Sequence, residues 1–183
     1  MNESDWLARA QRDGTTLEDA LAACDALPPA SLAEVIGRWR GSGLSTGHPF
    51  DGMLEAFGWY GKAFLSTEVA HPLLFGEEHA LVSVDPRFLP VALATKWHLQ
   101  TNRLVAMAFR AGEELLATTK PTARLRMTEY RGQVSATMLY DRLPINDVFR
   151  RIDAETLLGV MDYRDFALPF FFILRRVAPP VRG

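Results

Sequence analysis

The spacing of apolar residues along the chain changes near residue 37. Before this point, residues 17–27 carry apolar side chains three and four positions apart, which is the spacing of one helix face. A proline pair at 28–29 ends that helix, and Ser31 with Glu34 has the pattern of a capping box for a second, short helix. Beyond residue 37, short apolar or alternating runs are separated by glycine, proline, asparagine and aspartate, as in all-β domains.

The alternating runs predict about ten short strands, a number that favours a closed barrel or a sandwich because closure removes exposed sheet edges. We predict strands near residues 37–45, 51–65, 79–84, 91–99, 103–109, 114–119, 123–130, 134–140, 145–152, 156–162 and 169–176. The run that ends the series is apolar on both faces, so we expect the N-terminal helices to cover its outer side. Prolines interrupt every candidate element within 66–96, which we predict to be a loop over one mouth of the barrel.

Composition limits the classes of function. The chain has 183 residues, a formal net charge of −2 and one cysteine. This near-neutral balance gives no electrostatic footprint for nucleic acid, and a single cysteine cannot form an intrachain disulfide. The acidic N-terminus lacks the pattern of a signal peptide, and no apolar run approaches the roughly 20 residues that span a bilayer. We therefore expect a cytoplasmic protein without a membrane span.

Two glycines flank an aromatic residue in Gly37-Arg38-Trp39-Arg40-Gly41. In a strand, Trp39 points to the face opposite the two arginines, and each glycine lets another group approach the backbone closely. This pattern predicts the first strand of a small barrel, with Trp39 as a plug at one end.

Several motifs resemble the GXWXG-domain family, whose members carry a second, uncharacterised C-terminal domain. The first part carries the motifs at residues 37–41, 45–49, 58–62 and 71–75, and the companion part those at 123–132, 140–145 and 169–174. The two parts cover about 28–85 and about 120–176. Neither has enough strands to close alone, so we expect one barrel domain over 37–178, braced by helices within 1–36.

The opening motif is also similar to that of the calycin barrels, including lipocalins, fatty-acid-binding proteins and nitrobindins. This resemblance implies a mainly β, calycin-like antiparallel barrel with an interior ligand cavity. Fold-level likeness does not assign a ligand or a reaction.

Candidate catalytic groups cluster after the first strand. His48 lies in a Gly-His-Pro turn, where its imidazole could act as a general base near neutral pH. Asp51 and Glu55 alternate in phase with Met53 and Phe57, and could orient His48 or act as an acid–base pair. The simpler alternative is a turn histidine that is hydrogen-bonded to the backbone, beside carboxylates on a solvated face.

Candidate ligand-binding groups follow in the next predicted strand. Trp59 and Tyr60 lie on opposite faces, so only one of them can line a cavity. Lys62 is predicted on the face of Tyr60, where it could bind a carboxylate or phosphate or could simply be solvated.

Further candidates lie across the predicted barrel. Arg126 and Tyr130 share a face and would anchor a carboxylate if that face points inward, whereas an outward face would make Arg126 an ordinary surface charge. Met138 and Tyr140 share a face on the following strand, so the tyrosine hydroxyl could reach into an apolar cavity.

Metal and cofactor sites have little support in the sequence. The four histidines are far apart and lack paired spacing, so we expect no metal site. We expect no cofactor either. Haem, which needs only one axial histidine, is the exception that the nitrobindin resemblance leaves open, and no particular histidine is favoured for it.

These observations predict a carrier or sensor that binds a small hydrophobic or amphipathic molecule, a lipid-like acid, inside the barrel. The alternative is a cofactor-independent enzyme, such as an isomerase, cyclase, decarboxylase or hydrolase, that uses His48 with Asp51 or Glu55 on a similar ligand. A third hypothesis is an interaction module that uses the barrel exterior. A homodimer is compatible with all three.

Overall fold

A computed structural model describes residues 3–88 and 103–178 of the chain. The α-helices are α1 Glu3–Asp13, α2 Leu17–Ala26, α3 Leu32–Val35, α4 Met53–Phe57 and α5 Arg103–Gly112, and short 3₁₀ helices lie at Pro86–Phe88 and Glu113–Leu116. The strands are β1 Gly37–Gly43, β2 Trp59–Phe64, β3 Ala70–Phe75, β4 Val82–Ser83, β5 Ala123–Tyr130, β6 Gln133–Tyr140, β7 Ile145–Arg151, β8 Thr156–Tyr163 and β9 Phe170–Arg176.

Eight of these strands form a closed antiparallel barrel. Their order is β2-β1-β9-β8-β7-β6-β5-β3, and the pairing of β2 with β3 closes the ring. The β3–β5 contact is short, with Ala70 opposite Ala123, and β4 covers the remaining edge of β3 by pairing at Leu74 and Phe75. The predicted mainly β fold, an antiparallel barrel with short N-terminal helices, is confirmed.

The last strand separates two apolar cores. Phe170, Phe172 and Leu174 point into the barrel interior. Phe171 and Ile173 point outward, into a second core formed with helices α1 and α2. The expectation that this strand is covered on both faces is therefore confirmed.

A buried arginine ties helix α2 to the outer wall of the barrel. Arg150 on β7 donates from Nε to the carbonyl of Cys24, at 3.1 Å, and from Nη2 to the carbonyl of Tyr130, at 3.0 Å. The last carbonyls of a helix lack partners within the helix, so a cationic donor at this end stabilises it.

The glycines of the first motif make room for two large groups. Trp39 is buried at one end of the barrel, donates from Nε1 to the carbonyl of Val35 at 2.7 Å, and lies under the guanidinium of Arg176. A Cβ on Gly41 would lie 2.0 Å from the ring of Trp59, and one on Gly37 would lie 2.9 Å from a guanidinium nitrogen of Arg176. Any larger residue at either position would therefore displace one of these side chains.

Some predicted strands are helices. The predicted strand over 51–65 is wrong in its first half, which forms helix α4 between Gly52 and Gly58. Both glycines have left-handed φ angles, of 77° and 75°, and such residues bound helices rather than strand interiors. The predicted strand at 103–109 is wrong because this segment belongs to helix α5, whose alanines and leucine favour a helix.

Other strand predictions also differ from the structure. The predicted strand at 114–119 is wrong in its first part, which continues the 3₁₀ helix that follows α5. Strand β3 was missed because Pro72 lies within it. The predicted strand at 79–84 is confirmed over β4 alone, and the predicted loop over 66–96 is wrong over β3 and β4. The prediction for 91–99 and the end of that loop lie outside the described residues.

Candidate functional site

An ion pair lies inside the barrel. Lys62 on β2 reaches across to Asp147 on β7, with 2.7 Å between Nζ and Oδ2. Three strands separate β2 from β7 in either direction around the ring, so the two residues come from opposite walls. The side chains are only 3% and 1% exposed, which makes this a fully desolvated pair.

The hydroxyl of Tyr140, on β6, completes a polar group that we call the Lys62 cluster: Lys62, Asp147 and Tyr140. The hydroxyl donates to Oδ2 of Asp147 at 3.4 Å and lies 3.5 Å from Nζ of Lys62. Met138, two residues earlier on the same strand, is buried in the interior core and lies directly opposite Asp147. The cluster therefore joins three strands through their inward faces.

Aromatic rings surround the ammonium group of Lys62. Its Nζ lies 5.3 Å from the ring centroid of Trp59, 5.0 Å from that of Phe172 and 5.7 Å from that of Tyr140. Cations within about 6 Å of a ring face are attracted by its quadrupole, so these rings offset part of the desolvation cost.

An irregularity in strand pairing supplies one more acceptor. The β2–β3 register shifts around Gly61, and Pro72 has no partner in that register. Because Pro72 lacks an N–H and lies at this shift, its carbonyl is free to accept from Nε1 of Trp59 at 3.2 Å and from Nζ of Lys62 at 3.4 Å.

One oxygen of the cluster is unused. Oδ1 of Asp147 is buried and has no hydrogen-bond partner within the described part of the chain. A buried acceptor of this kind normally has a partner, and its absence calls for an explanation.

Burial shifts all three groups of the cluster toward their neutral forms. Desolvation lowers the pKa of Lys62, and the attraction of Asp147 opposes this shift. Desolvation raises the pKa of Asp147, and Lys62 opposes it. The pKa of Tyr140 is raised by burial and by the adjacent carboxylate. The cluster can therefore donate or accept a hydrogen bond, and redistribute a proton, within an apolar interior.

The sequence identified two of the three cluster residues. Lys62 and Tyr140 were among the predicted ligand-binding residues, whereas Asp147 was missed. The pattern that could have identified Asp147 is its position between Ile145 and Phe149, which makes it an acidic residue on the apolar face of a strand. The prediction that Lys62 shares the face of Tyr60 is wrong, because the irregular pairing at Gly61 turns Lys62 inward. The prediction that Trp59 and Tyr60 lie on opposite faces of their strand is confirmed, since Trp59 belongs to the interior core and Tyr60 to an outer one.

His48 lies at a distance from this cluster, among aromatic rings. Its Nδ1 accepts from the backbone N–H of Phe50 at 3.0 Å, and Nε2 lies 3.2 Å from the carbonyl of Leu168, to which it donates. The rings of Phe50, Phe166 and Phe170 have centroids within 5.3 Å of the imidazole. Both ring nitrogens are thus occupied by backbone groups.

The carboxylates near His48 hold the loop backbone. Oδ2 of Asp51 accepts from the backbone N–H groups of Thr46, Gly47 and His48, and Glu55 accepts from the backbone N–H of Gly43 at 2.7 Å. Glu55 lies in helix α4, so its predicted strand alternation with Asp51 is wrong. The structure does not bring Asp51 or Glu55 to the imidazole of His48 as hydrogen-bond partners.

Burial of His48 predicts a pH-dependent stability. Desolvation lowers its pKa in the folded state, so between about pH 7 and pH 5 the unfolded chain binds more protons and stability falls as pH falls. We expect His48→Asn to reduce this slope, measured by urea unfolding across that range. Burial lowers the pKa of His71 in the same direction, so the slope should shrink without vanishing. The exposed His79, changed to Asn, serves as the control, and an equal slope reduction in both variants would contradict this assignment.

The remaining candidates lie outside the barrel interior or in its wall. Of the two orientations left open for Arg126, the structure shows the outward one, with an ion pair to Glu68 at 2.8 Å. Tyr130 packs against the outer core beneath the N-terminal helices. Tyr60 also faces outward, under the guanidinium of Arg40.

The described residues contain neither a cluster of metal ligands nor a helix that could span a membrane. No group of three or more histidine, cysteine, aspartate or glutamate side chains in that part of the chain could hold a metal ion. No helix within it has the length and apolar character needed to cross a bilayer. The expectation of no cofactor stays a prediction, as do the cytoplasmic location and the homodimer.

Two segments of the chain match models of known protein families. Residues 22–79 match the family model described as GXWXG protein, and residues 121–176 match the one described as Domain of unknown function (DUF4334). The two matches cover the same parts of the chain as the two groups of motifs noted in the sequence. The GXWXG match begins and ends some six residues earlier than the motifs suggested, whereas the companion match agrees closely with them.

A solved structure shares the fold of this chain. A crystal structure of a protein from Thermomonospora curvata superposes with a TM-score of 0.70 at 27% sequence identity, covering 97% of this chain and 100% of that one. Among curated proteins, no significant match was found. The segment that matches the GXWXG model contains Trp39 and Lys62. The segment that matches the second model contains Tyr140 and Asp147. The Lys62 cluster therefore contains residues from both matched segments, which contribute strands to one barrel.

Proposed function

We propose that the barrel interior binds a small hydrophobic or amphipathic molecule whose polar group reaches the Lys62 cluster. The observation that carries this proposal is the ion pair between opposite walls, in which Oδ1 of Asp147 is buried without a partner among the described residues. A hydrogen-bond donor on a bound ligand would supply the partner that this oxygen lacks.

Stability alone is a poor explanation for the pair. Burying two charges costs several kcal/mol per ion, and apolar residues of similar volume are often equally or more stabilising. Apolar side chains such as those of Phe172 and Met138 would fill the barrel interior without that cost. Buried groups with shifted pKa values and a specific charged partner are instead common at binding and catalytic sites.

The route that we propose for the ligand is the α4 end, because Trp39 fills the other end of the barrel. Trp39 and helix α3 close one end, where Val35 is fully buried. The α4 end is lined by apolar side chains that are only partly buried, and these include Phe57, Phe109 and Met161. Met161 lies directly opposite Asp147 in the β7–β8 pairing, so it connects this end with the cluster.

The enzyme alternative built on His48 has no support in this geometry. Its general base would need a free ring nitrogen, and both nitrogens of His48 contact the backbone. Binding is therefore the function we propose, and the Lys62 cluster replaces His48, Asp51 and Glu55 as its polar centre.

Native mass spectrometry tests this proposal. Wild-type protein, both freshly purified and after incubation with a total lipid extract of its expression host, should retain a bound small molecule. Lys62→Met combined with Asp147→Leu should lose it, because the apolar pair keeps the interior filled but removes the polar anchor. Arg126→Gln, which breaks only the outer pair with Glu68, is the matched control and should retain it. Bare protein in every spectrum, or equal adducts in all three proteins, would contradict the proposal.

A further inference from the structure

The hydrogen bonds of the Lys62 cluster are unevenly distributed over the carboxylate of Asp147. Oδ2 accepts from Lys62 at 2.7 Å and from Tyr140 at 3.4 Å. Oδ1 accepts from nothing within the described residues, although it is buried. The cluster therefore has the hydrogen-bonding capacity for one more donor at this oxygen.

Lys62 and Tyr140 are not saturated either. Apart from its bond to Asp147, the ammonium contacts the Pro72 carbonyl at 3.4 Å and the Tyr140 hydroxyl at 3.5 Å. Charge-assisted bonds are usually about 2.7–2.9 Å long, so these two contacts are weak. A ligand oxygen that came closer could accept from either group.

The charge of the cluster is balanced before any ligand arrives. Lys62 and Asp147 supply one positive and one negative charge, and the rings around them are apolar. The arginines at the Trp39 end are engaged elsewhere, since Arg176 donates to the carbonyls of Glu34 and Ile36 and Arg151 pairs with Glu34. A ligand carboxylate would add a second anion beside Asp147 and could not donate to it.

We infer that the ligand is an uncharged molecule bearing a hydroxyl group, which donates to Oδ1 of Asp147 and accepts from Tyr140 or Lys62. A hydroxyl is both donor and acceptor, so it meets both needs of the cluster. An ether or a ketone only accepts and would leave Oδ1 unpaired. This inference rests on the proposed function and replaces the lipid-like acid expected from the sequence with an alcohol.

A matched series of ligands tests the inference. Decanol, decyl methyl ether and decanoate carry one chain with three polar groups, and cyclohexylmethanol with its methyl ether and the corresponding carboxylate repeats the series on a ring. Isothermal titration calorimetry at neutral pH should show each alcohol binding ~10-fold or more tightly than its ether or carboxylate, since an unpaired buried acceptor is costly.

Asp147→Asn should change the order of this series. It removes the anion that pairs with Lys62, so a ligand carboxylate can take its place as the partner of this lysine, and the carboxylates should gain on the alcohols by ~10-fold or more. Asp141→Asn, on an exposed aspartate that pairs with Arg124, is the control and should keep the wild-type order. The wild-type series decides the matter even where Asp147→Asn does not fold.

Each outcome has a distinct meaning. Alcohols that bind most tightly in wild-type protein, with binding lost in the Lys62→Met and Asp147→Leu double variant, support the inference. Carboxylates or ethers that bind as tightly as alcohols would overturn it and leave the proposed function intact. Failure of every compound to bind would overturn both.

Discussion

Replacing Lys62 by methionine should lower the free energy of unfolding by about 3–5 kcal/mol, because it leaves Asp147 as an unpaired charge inside the barrel. The two side chains are almost completely buried, so solvent cannot replace the lost partner. Urea unfolding at neutral pH measures this loss. Arg126→Met, which breaks the exposed pair with Glu68, is the control and should cost only about 0–1 kcal/mol.

Two further results separate charge burial from a simple loss of packing. Asp147→Leu added to Lys62→Met should recover most of the lost stability, since an apolar pair carries no desolvation cost. The deficit of Lys62→Met should also shrink as pH falls. Without Lys62, the pKa of Asp147 in the folded state is raised above its unfolded value, and protonation on acidification then favours the folded state. A single variant as stable as the wild type, or a double variant no better than the single, would contradict the assignment.

Replacing Trp39 by alanine should cost about 3–5 kcal/mol, because it removes the largest fully buried side chain at the closed end of the barrel. The loss also leaves the carbonyl of Val35 without its indole donor and removes the ring beneath Arg176. The residues around a truncated core side chain relax only partly, so a cavity should remain. Urea unfolding followed by far-ultraviolet circular dichroism measures the change.

Trp39→Phe separates the loss of apolar volume from the loss of the indole hydrogen bond. Phenylalanine keeps most of the apolar volume but loses the bond to Val35, so it should cost less than alanine does. Trp6→Ala, on the partly buried outer face of helix α1, is a control for tryptophan content and should cost less than Trp39→Ala. A loss of less than about 1 kcal/mol in Trp39→Ala would contradict the role of this residue as the barrel plug.

The sequence was informative wherever the residues of a single strand record which of its faces are buried. Hairpin β5–β6 follows from the alternation around Arg131 and Gly132, and β9 follows from its apolar character on both faces. These are local signals, because the period of two records which face is buried. The Trp39 motif is informative for the same reason, since its glycines mark close approaches on a single strand.

The parts that were missed depend on interactions between distant segments. Helix α5 packs against α4 rather than in the sheet, and no local pattern of seven residues distinguishes that choice. Strand β3 contains Pro72, which is tolerated because the register shifts there. Asp147 meets Lys62 across the whole barrel, so its role depends on closure and on the irregularity at Gly61, neither of which has a local signature.

A crystal structure of the protein grown with decanol tests the central claim most directly. The account predicts the alkyl chain inside the barrel, toward the α4 end, with the hydroxyl oxygen about 2.5–3.0 Å from Oδ1 of Asp147. Decanol bound only on the barrel exterior, or an interior filled by protein side chains around the Lys62 cluster, would contradict it.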